Sequence, residues 1–247
     1  LIDFHMNDSG VYVTPASRGA SHTSTALARL DENGAASYTF DLEWAPTAPI
    51  EVPETAQIIE AGSISAIIEP GASAVLDALT RGREHALIFF DPNARPSIMG
   101  EPAAALASLE RFITLADVVK VSDEDIEWLT GGTPIDEVVD RWLGMGVSLV
   151  VVTRGKHGSD VATASGLRFT KTPGNVEVID TVGAGDSFMG GMIDAMWGMG
   201  LRGADAREAL RTLPEEQVRT IIDRASAVSD VTVSRKGANP PWAHELS

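Results

Sequence analysis

Cysteine is absent from all 247 residues. That excludes disulfides, thiolate nucleophiles and cysteine-ligated zinc, and it accords with a reducing, cytoplasmic setting. Positive charge is scarce: 19 Lys and Arg stand against 35 Asp and Glu, a formal charge of −16. Such a balance speaks against nucleic acid and anionic membranes as partners. Any nucleotide site must therefore gain positive potential locally, from backbone amides, a few basic side chains and bound cations. No apolar run approaches the roughly 18 residues of a membrane span, and no signal peptide is visible. A Gly-x-Gly-x-x-Gly turn after an early strand is missing, which disfavours a dinucleotide-dependent dehydrogenase. The Thr153-Arg-Gly-Lys-His-Gly158 turn lacks the spacing and the Lys-Ser/Thr of a P-loop. The five histidines show no metal-ligand spacing.

What is present begins with an ordinary apolar share of 44%, enough for one large domain or two small ones. The most informative stretch is Asp180-Thr-Val-Gly-Ala-Gly-Asp-Ser-Phe188. A strand-like run, Val176 to Ile179, precedes it and an apolar helix rich in small residues follows. Gly183, Ala184 and Gly185 put small residues at the turn, so successive amides can approach a ligand. At a helix N-terminus those unpaired donors and the helix dipole favour an anion. Asp186 then offers a carboxylate to the same pocket. A cradle for phosphate beside a carboxylate that takes a hydroxyl proton suits phosphoryl transfer. The plainer alternative is a helix-opening turn capped by Asp186.

Along the chain, Gly10 to Thr14 reads as a short strand. Thr23 to Leu30 and Ala35 to Phe40 flank Asp31-Glu-Asn-Gly34 and read as a β-hairpin, either a lid or an edge of the main sheet. From about Ala56, strands (56–61, 86–90, 118–121, 147–153) alternate with helices (71–81, 101–116, 123–129, 134–143, 214–228). This order predicts an α/β fold with a mostly parallel central sheet covered by helices on both faces. Ligands of such sheets bind beyond the carboxyl ends of the strands. Asp91, Ser122, Thr153 and Asp180 all fall just after predicted strands. Asp91, Asn93 and Arg95 there suit sugar hydroxyls or a phosphate, or else form a simple turn. Ser122-x-x-Asp125 fits a capping box, with a water-mediated magnesium role compatible with it.

Five segments in order resemble the ribokinase-like (PfkB) carbohydrate kinases: Phe89 to Pro96, Asp117 to Asp125, Val150 to Gly155, Asp180 to Phe188 and Ser234 to Pro241. Within that family, Asp91-Pro-Asn-x-Arg95 is similar to the segment common in fructokinases. The resemblance implies a three-layer α/β/α fold with a small β-hairpin lid: residues 1–55 as a partial lid region and 56–247 as the nucleotide- and sugar-binding core. It also implies a family N-terminal portion, with a Gly-Gly-x-x-x-Asn motif, that this sequence does not contain. The implied activity is transfer of the γ-phosphate of MgATP to a small sugar, fructose first. The implied alternatives are 2-keto-3-deoxygluconate, ribose or a nucleoside as acceptor, or a non-catalytic binding relative. Asp186 is the implied base and Gly183-Ala184-Gly185 the anion hole, with Thr153 and Gly155 on the nucleotide and Asp91, Asn93 and Arg95 on the sugar. Asp180 and the carbonyls of Val182, Val233 and Gly237 are implied holders of a monovalent cation such as K+. ATP and sugar are the implied partners, and a homodimer the candidate assembly.

Overall fold

Runs of Val, Ile, Leu and Phe at 87–91, 118–122 and 149–153 leave almost no polar position on either strand face, as a sheet covered on both sides requires. In the computed structural model, which describes residues 2–30 and 36–246, these runs form a six-stranded sheet. Its strands are β3 (Ile58–Gly62), β4 (Leu87–Asp91), β5 (Val118–Ser122), β6 (Leu149–Thr153), β7 (Ser159–Thr163) and β8 (Arg168–Lys171), in that spatial order. The pairs β3–β4, β4–β5 and β5–β6 are parallel, while β6–β7 and β7–β8 are antiparallel.

Alternation along each strand divides the interior into two cores. Ile88, Phe90, Val119, Val121, Val150 and Val152 face α2 (Gly71–Gly82), α4 (Pro102–Ile113), α5 (Asp123–Thr130) and α6 (Ile135–Gly144). Leu87, Phe89, Val118, Leu149 and Val151 face α7 (Ala184–Gly198), α8 (Arg207–Arg211) and α9 (Glu215–Val233). The result is three layers, α/β/α. Two short helices complete the chain: α1 (Ile2–Asp8) and α3 (Pro96–Met99). Among the described residues no helix is long and apolar enough to cross a membrane.

The hairpin segments pair as β1 (Thr25–Leu30) and β2 (Ala36–Asp41), antiparallel and in a sheet of their own. They do not extend the edge of the main sheet. The turn expected at Asp31 to Gly34 lies outside the described residues.

Two expected strands do not form. Gly10 to Thr14 is irregular and follows a helix, with no strand paired to it among the described residues. Val176 to Ile179 is also irregular. There the amides of Ile179 and Asp180 donate to the Val233 carbonyl at the end of α9 (2.8 and 3.2 Å) instead of to a sheet. Asp180 therefore does not follow a strand, whereas Asp91, Ser122 and Thr153 each close one. The β7–β8 hairpin was not expected, because Arg168–Lys171 alternates between exposed and half-buried positions and carries little apolar signal.

A fully buried carboxylate locks the amino end of the sheet. Asp117 accepts from the Arg83 guanidinium at 3.0 Å, from Arg207 at 2.7 Å and from the Ile88 amide at 2.8 Å. It thereby ties α2, α8, β4 and β5 together. Asp117→Asn strips the charge that two half-exposed guanidinium groups share. The expected loss is about 3 kcal/mol of unfolding free energy in urea, the lower end for breaking a buried pair.

Candidate active site

The carboxyl ends of β3 to β6 converge on the first turn of α7. Gly183 is the N-cap there and adopts φ 77°, the left-handed region that glycine enters without strain. A Cβ at Gly183 would also meet the Cβ of Ala238 at 2.9 Å. The turn is thus packed against the closing loop. Among the described residues, the amides of Gly183, Gly185 and Asp186 have no protein acceptor, which leaves the donors of an anion cradle available.

Asp186 occupies the first turn of α7 and makes no side-chain cap. The capping alternative is therefore excluded. Asp186 is solvent-exposed, not a buried carboxylate. It lines a cavity of about 360 Å³ together with Asp91, Asn93, Glu60, Ser63 and Trp44. On the other side of the same turn, Ala184 and Gly185 line a smaller cavity of about 140 Å³ with Thr153, Gly155, Ser229 and Asp230. One turn of helix is the shared wall of both.

The remaining sequence-predicted residues sort clearly. Asp91 and Asn93 reach the larger cavity, while Arg95 does not line it. The Arg95 guanidinium donates back to the carbonyls of Ala94 (2.9 Å) and Asn93 (3.4 Å) on the exposed side of the turn. Ser122 and Asp125 form the capping box: the Asp125 amide donates to Ser122 Oγ (3.0 Å) and the Ser122 amide to Asp125 Oδ2 (3.4 Å). Asp125 Oδ1 also accepts from the Ala94 amide (3.0 Å). Arg154 is held by Asp160 (3.0 Å) and Asp123 (3.8 Å). Asp180, Val182, Val233 and Gly237 lie together. The Asp180 carboxylate accepts from the amides of Val182 (3.0 Å) and Gly237 (2.9 Å), which hold its carboxyl below the ordinary range. Among the described residues no cluster of three His, Asp or Glu side chains is arranged to hold a metal ion.

Sequence reasoning missed several groups around the larger cavity. Ser63 and Asn93 both have positive φ, 54° and 37°, and Ser63 Oγ donates to the Asn93 carbonyl (3.1 Å). Two neighbouring strand ends are thus held in sparsely populated backbone conformations, as ligand-binding turns often are. Positive φ at a serine leaves no trace in sequence. Lys120, on β5, is 4% exposed and places its ammonium 2.6 Å from Asp91 Oδ2. A lysine inside an apolar strand was the available signal.

Glu60, on β3, is exposed as a residue and lines the larger cavity beside Trp44, Val52 and Ile59. Burial, then repulsion from Asp91 and Asp186, pushes it up to about 7, against a smaller opposing pull from Lys120. The folded protein therefore binds a proton that the unfolded chain releases near pH 4.5. Stability is lost as pH rises from there through about 7. Glu60→Gln should match the wild type in melting temperature near pH 4 and exceed it increasingly up to pH 8. A difference that stays constant across that range would show Glu60 to be ordinary.

Comparison with known proteins agrees with this arrangement. The profile described as pfkB family carbohydrate kinase matches residues 2–245. The chain is 33% identical over 194 residues to probable fructokinase-4 of Arabidopsis thaliana, covering 77% of this chain and 56% of that protein. It is 33% identical over 170 residues to a fructokinase of Rhizobium leguminosarum bv. trifolii, covering 66% and 52%. The chain thus spans about half the length of these curated relatives. Among solved structures, fructokinase from Xylella fastidiosa with bound ATP superposes with TM-score 0.79 at 26% identity, over 96% of this chain and 76% of that one. Fructokinase from Vibrio cholerae with fructose, ADP and calcium bound gives 0.72 at 28%, over 96% and 76%. Aminoimidazole riboside kinase from Salmonella enterica, with its riboside and an ATP analogue, gives 0.77 at 25%, over 99% and 79%.

Proposed function

The chain belongs to the pfkB family of carbohydrate kinases, and from that premise we propose that it phosphorylates a small neutral sugar with ATP, fructose being the first candidate. The observation that carries this reading is the single turn, Gly183 to Asp186, shared by two cavities. Phosphoryl transfer needs the donor and acceptor on opposite sides of a group that stabilises the charge between them.

In this reading the phosphates of ATP lie along Thr153, Gly155 and the turn Gly183-Ala184-Gly185. The sugar occupies the larger cavity against Asp91 and Asn93, with Arg95 on the outer side of that strand-end turn. The Asp186 carboxylate accepts the proton of one sugar hydroxyl. The freed oxygen attacks the γ-phosphorus in line, the bond to the β,γ-bridging oxygen breaks, and ADP leaves. Free amides at the turn receive charge that develops on the γ-phosphoryl oxygens.

Magnesium accompanying ATP supplies neutralisation of phosphate charge. Asp125 is already engaged by two amides, so its part in binding that ion is through water. A monovalent cation beside Asp180, Val182, Val233 and Gly237 would have to share acceptors that amides now hold. Residues 1–55 are taken as a partial lid over a core at 56–247, which the separate β1–β2 sheet supports. The absence of cysteine accords with a cytoplasmic site of action.

The walls of the larger cavity favour fructose over a sugar acid. They carry Glu60, Asp91 and Asp186 but no Lys, Arg or His among the described lining residues. A carboxylate-bearing acceptor such as 2-keto-3-deoxygluconate would meet like charge. The Salmonella riboside kinase keeps a nucleoside in the test set.

The decisive experiment joins an ADP-release assay over neutral sugars, sugar acids and nucleosides with the variant Asp186→Asn. The amide is nearly isosteric, and removal of a general base costs about 10²–10⁴-fold in rate. We expect kcat to fall by that factor while MgATP affinity by calorimetry and the melting curve stay near wild type. A variant that keeps more than about a tenth of wild-type kcat would exclude Asp186 as the base.

A further inference from the structure

We propose that Lys120 is a positioning residue of this site, holding the Asp91 carboxylate at the floor of the acceptor cavity from beneath the first turn of α7. The assignment rests on the kinase reading above and adds a residue on which neither the signature nor the acceptor turn bears.

Three observations converge on it. The Lys120 ammonium is buried and lies 2.6 Å from Asp91 Oδ2. Asp91 Oδ1 is buried with no hydrogen-bond partner among the described residues, although Asp91 lines the cavity. A native orphan acceptor at a cavity wall is the mark of a group that waits for a donor, and a sugar hydroxyl is one. Finally, a Cβ on Gly185 would stand 2.9 Å from Lys120 Nζ. The lysine tip thus lies against the phosphate-side turn as well as the acceptor-side carboxylate, and a side chain at 185 would oblige it to shift.

Electrostatics explain why a cation is placed there. Asp91 on β4 faces Lys120 on β5, Asp125 on α5 and Asp186 on α7, with Glu60 of β3 in the same cavity. Burial pushes the Asp91 carboxyl above its ordinary range, the two aspartates push in the same direction, and Lys120 alone among these groups pulls it down. Without that ammonium the Asp91 carboxyl is pushed further upward, toward its protonated form. It then presents a different hydrogen-bonding pattern to the acceptor. The lysine does this without touching substrate.

The test uses Lys120→Met, Asp91→Asn and the double variant. For Lys120→Met we expect sugar kcat/KM at pH 7 to fall roughly ten- to a hundredfold, mainly through KM. The acid limb of its pH profile should move upward by about 1–3 units, the range for loss of one adjacent opposite charge. A merely structural lysine would lower the melting temperature and leave that limb in place, which would overturn the proposal. Lys120→Met leaves a buried carboxylate alone and risks misfolding, so Asp91→Asn/Lys120→Met supplies the second arm. Replacing both partners removes both buried charges and is often close to neutral for folding. The double variant should lose no more sugar kcat/KM than Asp91→Asn alone; additive losses, or near wild-type kinetics, would overturn the assignment. Wild-type turnover is the control for the premise. If no acceptor is phosphorylated, the kinase reading fails, and melting curves decide on Lys120. The deficit of Lys120→Met relative to wild type should then widen from pH 5 to pH 8, and a constant deficit overturns the proposal.

Discussion

Everything at the carboxyl end of this sheet depends on how negative charge is tolerated in a small space. Four carboxylates, those of Glu60, Asp91, Asp125 and Asp186, influence one another there, as the raised Glu60 and Asp91 carboxyls show. At an effective dielectric of about 20, two like charges 4 Å apart cost about 4 kcal/mol. A chain with 35 acidic and 19 basic residues has few cations to spend on the problem. It commits one, Lys120, and buries it. The amides at the start of α7 add partial positive charge without adding a side chain. The site thus meets its carboxylates with one full positive charge and a fixed dipole.

The sheet separates this work from the work of staying folded. At its amino end, Asp117 gathers two arginines and a backbone amide into a closed and fully satisfied cluster. At its carboxyl end, among the described residues, the groups are left incomplete: free amides at the α7 turn, an orphan Asp91 oxygen, and two non-glycine residues with positive φ. Both ends hang on the same strands, β4 and β5. Their side chains alternate between two apolar cores, so neither strand can shift register without moving buried residues across the sheet. The incomplete end is therefore held in place by the complete one.

Legibility in the sequence followed burial. The strands at 87–91, 118–122 and 149–153 were plain because both faces are covered and, apart from Lys120 and the closing residue of each strand, every position reads apolar. The capping box at Ser122 and Asp125 was plain because it is a local hydrogen-bond pattern with a fixed spacing. The β7–β8 hairpin was not, since its outer strand is half in water and needs only weak alternation. Val176 to Ile179 misled for the opposite reason: three β-branched residues signal a strand, but the amides of Ile179 and the following Asp180 bond the end of α9 instead. Within the candidate site, Asp91, Asn93 and Thr153 were legible as polar positions at strand ends, and the α7 turn as a glycine-rich helix start. Glu60, Ser63 and Lys120 were not, because their significance lies in neighbours from other strands. The inward-facing Lys120 becomes meaningful only when the β4–β5 pairing sets it beside Asp91.

The carboxylates near the site can be ranked by what already holds them, and the ranking points to one of them for proton transfer. Asp180 accepts two amides that join the signature to the closing loop. The Asp125 carboxylate accepts two amides, those of Ser122 and Ala94, while its own amide donates to Ser122 Oγ. Asp91 is bound to an ammonium. Asp180 and Asp125 would have to break an existing interaction before taking a proton, Asp91 would give up part of its pairing with that ammonium, and Glu60 lines the cavity from β3 and not from the α7 turn. Asp186 has neither an ion pair nor a hydrogen bond to its carboxylate among the described residues, and it stands on the turn between the two cavities. A base must be reachable by the acceptor hydroxyl and uncommitted in the resting state. Its exposure at the wall of the larger cavity leaves the carboxylate accessible to an acceptor hydroxyl, which supports the role proposed for it.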